Sequence, residues 1–117
     1  MEPDPPCRWV KELPAGITVC DRSGTVIGMN DASAASYASD GGYKLIGSNI
    51  RDCHPPEALK ILDSMLESGT PHVYMIENRG TRKILCELPW YTDGKLSGLV
   101  ELSVVLPDTI PCYRRDP

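Results

Sequence analysis

Residues 46–57 read IGSNIRDCHPPE, and they decide where the main helix of the chain begins. Two adjacent prolines followed by an acidic residue are typical of a helix start, because the opening residue needs no amide proton there. We expect the helix to begin at Pro55 or Pro56, to run to about Ser68 and to stop at Gly69. Its apolar side chains fall on one broad stripe and its charges on the other side, so this helix should cover a core.

The same stretch places a thiol beside an imidazole, at Cys53 and His54. Both groups hold metals or act in nucleophilic catalysis. Neighbouring residues at a helix start point about 100° apart, however, and a metal needs three or four ligands, whereas His72 is the only other histidine. The structural alternative has His54 at the N-cap, Pro55 at the first helical position and Glu57 at the third. A structural role, a pocket or haem-ligand role and a metal or redox role are all open.

The first third of the chain predicts a hairpin. Residues 17–20 and 25–29 are short runs rich in β-branched side chains, which favour strands. Between them, Asp21 can bond the backbone and Gly24 can take a positive φ, which together make a tight turn.

The rest of the chain supplies a short helix and three further strands. We expect a helix over residues 32–38, capped by Asn30 or Asp31. The later strands are predicted at residues 73–77, 82–88 and 96–106, joined by turns at 78–80 and 92–94. This order predicts an α+β fold, in which a five-stranded antiparallel sheet carries helices over one face.

Composition limits the class of protein further. The chain has 117 residues, 41% of them hydrophobic, and a net charge of −4, which fits one globular domain and argues against nucleic acid or an anionic membrane as partner. No apolar run approaches the roughly 18 residues that cross a bilayer. The acidic, proline-rich start differs from a signal peptide, so we expect a cytoplasmic protein. The five cysteines include no C-x-x-C pair, and we expect free thiols, with Cys20 and Cys86 as small core residues.

The order of the predicted elements, with the turn and capping residues between them, resembles a PAS domain, the small sensor module of signalling proteins. The residues that carry the resemblance are Asp21, Gly24, Asn30, 45–47, His54, Pro55, Asp93, Gly94 and Gly98. The string from Ile46 to Pro56 is similar to a bacterial and archaeal subgroup of the family. The resemblance divides the chain into an N-terminal lead over 1–12, the PAS domain over 13–106 and a proline-containing tail over 107–117.

The resemblance implies regulation rather than catalysis, often through dimerisation or a signalling partner. Family ligands include haem, flavins and small carboxylic acids, and some members bind nothing. A light-sensing flavin adduct is not expected here, because Ile50 stands where that branch carries its reactive cysteine. The family also commonly leaves its last strand through a signalling helix, whereas Pro107 and Pro111 prevent one continuous helix at this exit. We therefore expect a stand-alone module or a piece separated from its output.

A ligand pocket would be formed by the helix start and the covered sheet face. The residues predicted to line it are Met29, Tyr37, His54, Leu62, Met75 and Leu102. No catalytic or metal site is predicted, and haem through His54 or a methionine stays a minor alternative. Three hypotheses follow: a ligand-binding sensory module, a ligand-free module for homodimerisation or scaffolding, and a small enzyme that uses Cys53 and His54.

Overall fold

The computed structural model describes residues 5–117, without the side chains of residues 5–7 and Cys53. The strands are β1 (Gly16–Asp21), β2 (Val26–Met29), β3 (His72–Asn78), β4 (Thr81–Thr92) and β5 (Lys95–Val105). The helices are α1 (Pro5–Lys11), α2 (Asp31–Ser36) and α3 (Pro56–Ser68). Three short 3₁₀ turns lie between α2 and α3, at Ala38–Asp40, Gly42–Leu45 and Ile50–Cys53.

All five strands form one antiparallel sheet in the order β2-β1-β5-β4-β3. The early hairpin of β1 and β2 therefore sits beside the late strands, and β1 pairs with β5 over its whole length, from Gly16–Ser103 to Asp21–Gly98. Helices α2 and α3 pack on one face of this sheet. The predicted α+β architecture is confirmed.

The turn between β1 and β2 forms as the sequence predicts. One carboxylate oxygen of Asp21 accepts hydrogen bonds from the amides of Ser23, at 2.9 Å, and Thr25, at 3.0 Å. Gly24 takes φ of 91°, where a side chain would be strained. The Ser23 hydroxyl donates to the same oxygen at 2.6 Å, and this hydrogen bond, with those of the amides, favours the ionised carboxyl and lowers the pKa of Asp21.

Asn30 holds three segments together at the end of β2. Its side-chain oxygen accepts from the amide of Ser33, which caps α2, and from the amide of Ile17 at the start of β1. Its side-chain amide donates to the carbonyl oxygens of Val10 and Ala15. The residue is fully buried, so these four hydrogen bonds compete with no water.

Helix α3 begins one residue later than a cap at His54 requires. Pro55 occupies the N-cap and Pro56 the first helical position, so the prediction of His54 as the cap is wrong. Gly69 ends the helix with φ of 73°, as expected for a left-handed C-terminal residue.

The main core lies between α3 and the centre of the sheet. Leu62, Met65 and Leu66 of α3 pack against Cys20 of β1 and Leu99 of β5. Each fully buried apolar side chain contributes about 1.5–3 kcal/mol, so this cluster fixes α3 on the sheet. Burial also raises the pKa of the Cys20 thiol, which suits the predicted role as a small core residue.

The two ends of the chain flank this core. The N-terminal lead carries α1, which is joined to α2 by an ion pair of 3.2 Å between Lys11 and Asp31. The tail over 107–117 contains no helix or strand, as its prolines predict. Within the residues described, no helix is long and apolar enough to span a bilayer.

Candidate ligand cavity between the sheet and the helices

The two faces of the sheet differ sharply in chemistry. The strand register places Thr18, Glu101 and Glu87 side by side on the face toward α2 and α3, here called the inner face. Their neighbours one residue along point to the opposite, outer face. The outer face carries Ile17, Val19, Val73, Met75, Ile84, Cys86, Leu88, Val100, Leu102 and Val104. The inner face is therefore polar in its middle, while the outer face is apolar.

A cavity of about 190 Å³ lies between the inner face and the segment that runs from α2 to the start of α3. Its lining comprises Thr18, Val26, Met29, Tyr37, Asp40, Leu45, Ser48, Ile50, His54 and Glu101. A smaller cavity of about 50 Å³ continues toward Leu62 and Glu87, and it shares Thr18, Ile50, His54 and Glu101 with the first. These two neighbouring spaces are called the inner cavity below.

A third space, of about 200 Å³, lies on the other side of Glu101. Thr18, Tyr37 and Glu101 line both this space and the inner cavity, so they form the wall between the two. Lys83 and Ser103 line only the third space. Glu101 therefore lines all three of these spaces.

Glu101 is held by Tyr37, whose hydroxyl donates to one carboxylate oxygen at 2.8 Å. Burial raises the pKa of Glu101, and the charge of Glu87 raises it further, although the Tyr37 hydrogen bond opposes both effects. The same burial, with the nearby Glu101 charge, raises the pKa of the Tyr37 hydroxyl, which therefore stays a proton donor. The hydrogen bond engages one carboxylate oxygen of Glu101, and the residue lines the inner cavity.

Glu87 repeats this arrangement one strand away. It lies directly opposite Glu101 across β4 and β5, and opposite His72 across β3 and β4. Burial and the Glu87 charge raise the pKa of Tyr74, whose ring packs against His72 with 4.7 Å between ring centroids. Two carboxylates and two tyrosine hydroxyls thus share the inner face.

His54 lies at the mouth of the inner cavity, largely exposed. Its Nδ1 is 2.6 Å from the carbonyl oxygen of Ile50. A carbonyl only accepts, so Nδ1 carries the proton in this hydrogen bond and Nε2 is free to accept from a ligand. The side chain of Cys53 lies outside the part that the structure describes. The hypothesis that Cys53 and His54 act together therefore stays untested.

Four of the six residues predicted to line the pocket lie at the inner cavity. Met29, Tyr37 and His54 line its larger part, and Leu62 closes its smaller part from within the core. Whether they bind a ligand stays a prediction.

The other two predicted pocket residues lie on the opposite side of the sheet. Leu102 pairs with Ile17 and Cys86, and Met75 pairs with Ile84, all on the outer face. The structure thus corrects the prediction that Met75 and Leu102 line the pocket, and the error lies in the strand parity. It arises because a shift of one residue along a strand reverses the direction of the side chain.

The polar residues of the cavity were missed from the sequence. Thr18, Glu87 and Glu101 alternate with apolar neighbours, and the usual rule turns the polar set of an antiparallel strand toward solvent.

No protein-family model matches the sequence, and no curated protein matches it. The structure, in contrast, is similar to many solved structures. The Aer2 receptor from Vibrio cholerae, described as a dual PAS-heme oxygen sensor, matches with a TM-score of 0.58 at 19% identity, over 80% of this chain and 95% of that one. The PAS domain of the histidine kinase ThkA matches with a TM-score of 0.62 at 14% identity, over 77% and 97% of the two chains.

The chain has the PAS fold. A sensory box histidine kinase from Vibrio cholerae agrees, with a TM-score of 0.63 at 15% identity over 82% of this chain and 85% of the other. At these identities the likeness shows the fold alone.

The cavity of this PAS domain does not fit the larger cofactors of such domains. Pockets for drug-sized ligands occupy about 300–1,000 Å³, whereas the larger part of the inner cavity measures about 190 Å³. Glu101 and Asp40 also line it, and their charges would oppose the acidic groups of haem or a flavin nucleotide. Ile50 faces the same space, so no thiol stands at that position for a flavin adduct.

Proposed function

We propose that this PAS domain is a sensory or regulatory module that binds a small polar ligand in the inner cavity. The observation that supports it best is the hydrogen-bonding wall under the helices, where Thr18, Tyr37 and Glu101 line one cavity. A filled scaffold would place apolar side chains there, because polar groups in a core need partners. Tyr37 already bonds to Glu101, and Thr18 to Ser33, so a ligand adds to this polar wall. A ligand that binds only the folded state stabilises it.

The cavity walls suggest how binding would be transmitted. One wall is the sheet, through Thr18 and Glu101, and the other is the segment that carries Tyr37 and His54. A ligand that contacts both walls favours arrangements in which that segment is closed on the sheet. The protein surface over this segment would then differ between the free and the bound state, which is what a regulatory module needs.

Native mass spectrometry of the freshly purified chain tests the proposal. We expect a bound species of low mass that is released on denaturation and is lost in Tyr37→Phe or Thr18→Val. Ser97→Ala, in the exposed β4–β5 hairpin, is the matched control and should retain the species. If the chain carries no bound species and none of a broad set of metabolites raises its melting temperature, the ligand-binding proposal is wrong.

The second candidate function is homodimerisation, and the outer face favours it. Its side chains Val73, Met75 and Val104 are 54%, 56% and 39% exposed, which makes a contiguous apolar patch of the kind that partners cover. Met75→Glu should then shift the chain toward monomer in light scattering, whereas Ile61→Glu, on exposed α3, should not. A monomeric wild-type chain at high concentration would contradict the dimer.

We also propose that the module works in the cytoplasm. Cys20, Cys86 and Cys112 are free thiols, which is typical of proteins in a reducing compartment.

A further inference from the structure

We infer that the ligand of the inner cavity carries an ammonium or a similar organic cation, which Glu101 and Glu87 receive together. This inference rests on the proposed ligand-binding function of the same cavity. It follows from the position of the two carboxylates, from the groups around them and from the size of the space.

The two carboxylates face each other from adjacent strands. Glu87 and Glu101 are direct partners in the β4–β5 ladder, and both line the smaller part of the inner cavity. Side chains in this relation have Cβ atoms about 4.5–5.5 Å apart, and like charges there repel. Either a shared proton or a cation between them removes the repulsion.

No described Lys, Arg or His side chain forms an ion pair with Glu87 or Glu101, although Lys83 and His54 lie near enough to Glu101 to affect its charge. The ion pairs found among the described residues are Lys11–Asp31, Arg51–Asp63 and Arg114–Asp116, and none includes Glu87 or Glu101. Lys83 lines the space beyond Glu101 and not the inner cavity itself. His54 lines the same space as the two carboxylates, but its Nδ1 is engaged by the carbonyl oxygen of Ile50. The place between the carboxylates is thus open to a charge from outside.

An organic cation suits this place better than a metal ion. In the described part of the chain, no group of three or more His, Cys, Asp or Glu side chains is arranged to hold a metal. An ammonium needs fewer ligands, since each of its N–H groups donates one hydrogen bond. The free oxygen of Glu101 and the carboxylate of Glu87 can accept two of them, and Thr18 can accept a third from the same wall.

The rest of the larger space fits a short, partly apolar body on that cation. The apolar side chains of Val26, Met29, Leu45 and Ile50 also line it. The aromatic ring of Tyr37 adds a surface that attracts cations at short range. At about 190 Å³ the space limits the ligand to a small molecule, such as a short-chain amine.

Three probes of equal chain length test the inference by NMR titration: butylammonium, 1-butanol and butyrate. We expect butylammonium to shift cavity resonances and to bind at least tenfold more tightly than butanol, with butyrate weakest. Glu101→Gln should reduce the affinity for butylammonium about tenfold and leave that for butanol unchanged. Glutamine can still accept from Tyr37, so the variant should fold, and its thermal melt checks this. Glu77→Gln, at the exposed end of β3, is the matched control and should bind like the wild type.

A second readout is the proton count. Because burial and Glu87 raise the pKa of Glu101, binding of a cation near that pKa should expel a proton. Four other ionisable groups lie near Glu101. They are Tyr37 at the end of α2, Tyr74 on β3, His54 at the cavity mouth and Lys83 on β4. Calorimetry in two buffers of different ionisation enthalpy should report proton release for the wild type and less for Glu101→Gln.

The outcomes separate this inference from the function on which it rests. If butanol or butyrate binds as well as butylammonium, or if Glu101→Gln binds butylammonium unchanged, the cationic ligand is wrong although the cavity still binds ligands. If no probe shifts any resonance, the cationic ligand is equally wrong, and native mass spectrometry of the purified chain decides separately whether the domain binds a ligand at all.

Discussion

Replacing Asn30 tests whether one buried side chain joins α1, the sheet and α2. Alanine at this position removes four hydrogen bonds: those to the amides of Ile17 and Ser33, at 2.9 and 3.1 Å, and those to the carbonyls of Val10 and Ala15, at 2.9 and 2.8 Å. Since the site is fully buried, the backbone groups left behind gain no water in exchange unless the structure opens.

The magnitude follows from these four contacts. A net contribution of about 0.5–1.5 kcal/mol for each of the four hydrogen bonds, one of which caps α2, gives a destabilisation of about 2–6 kcal/mol. Folded domains are stable by only about 5–15 kcal/mol, so the variant should be near its limit. Asn30→Asp keeps both accepted bonds but loses both donors, and it places a charge against two carbonyl oxygens, so we expect a similar loss. Asn30→Ser keeps only the cap of α2, so its stability should lie between that of the wild type and that of Asn30→Ala.

Guanidinium unfolding followed by circular dichroism measures the free energy of unfolding of each variant. Asn49→Ala is the matched control: its side chain caps the next 3₁₀ turn, accepting from Arg51 at 3.0 Å and donating to Ser23 at 2.9 Å, but at a partly exposed site. We expect it to lose only about 1–2 kcal/mol. If Asn30→Ala lies within about 1 kcal/mol of Asn49→Ala, the buried network does not hold these segments together.

Three further variants test the sheet, the cavity and the core. Gly98→Ala should destabilise by about 2–4 kcal/mol, because φ is 155° and the new Cβ would lie 2.0 Å from the carbonyl oxygen of Cys20; Gly94→Ala has open space, should lose only about 1–2 kcal/mol, and an equal loss would refute the close approach. Glu101 holds its proton more tightly when folded, so its contribution to stability is full below the unfolded pKa of 4.5 and is lost as pH rises through the raised pKa. The advantage of Glu101→Gln over the wild type in urea melts should therefore grow with pH over that window, and a constant difference would contradict the raised pKa. Leu62→Ala should lose about 2–5 kcal/mol in thermal melts and Ile61→Ala less than about 1, since Leu62 is 4% exposed and Ile61 is 48% exposed; equal losses would place α3 differently.

The fold could be predicted from the sequence because its elements are marked locally. Asp21 and Gly24 specify the first turn, and Gly69 ends α3. Asp93 and Gly94 take positive φ in the turn between β4 and β5. Each of these boundaries is therefore marked by a residue of special conformation. That the five strands form one antiparallel sheet was predicted as well, whereas the order β2-β1-β5-β4-β3 comes from the structure. The start of α3 at Pro56 is one of the two positions that the sequence predicts, and only the cap at His54 was wrong, because either of two adjacent prolines can occupy the first helical position.

The cavity could be predicted only in part, because pockets depend on which way each strand faces. Residues next to the helices, such as Met29, Tyr37 and His54, were found from chain position alone. Strand residues required the parity, and Met75 and Leu102 show how a shift of one residue exchanges the two faces. Glu101 needed the register as well, since nothing local distinguishes a carboxylate in a cavity from one in solvent.

The division of the inner face into a packed part and an open part links stability to function in this domain. Around Leu62 and Leu99 the face is closed by α3, and burial there holds the fold whether or not a ligand is present. Around Glu101 the cover is α2 and the 3₁₀ turns, in which Ser33 and Gly42 are the buried residues of the regular elements. A cover with so few buried apolar contacts has low local stability. A ligand between that cover and the sheet would therefore change the order of the cover more than that of the core. That is the behaviour expected of a module whose surface reports what its cavity holds.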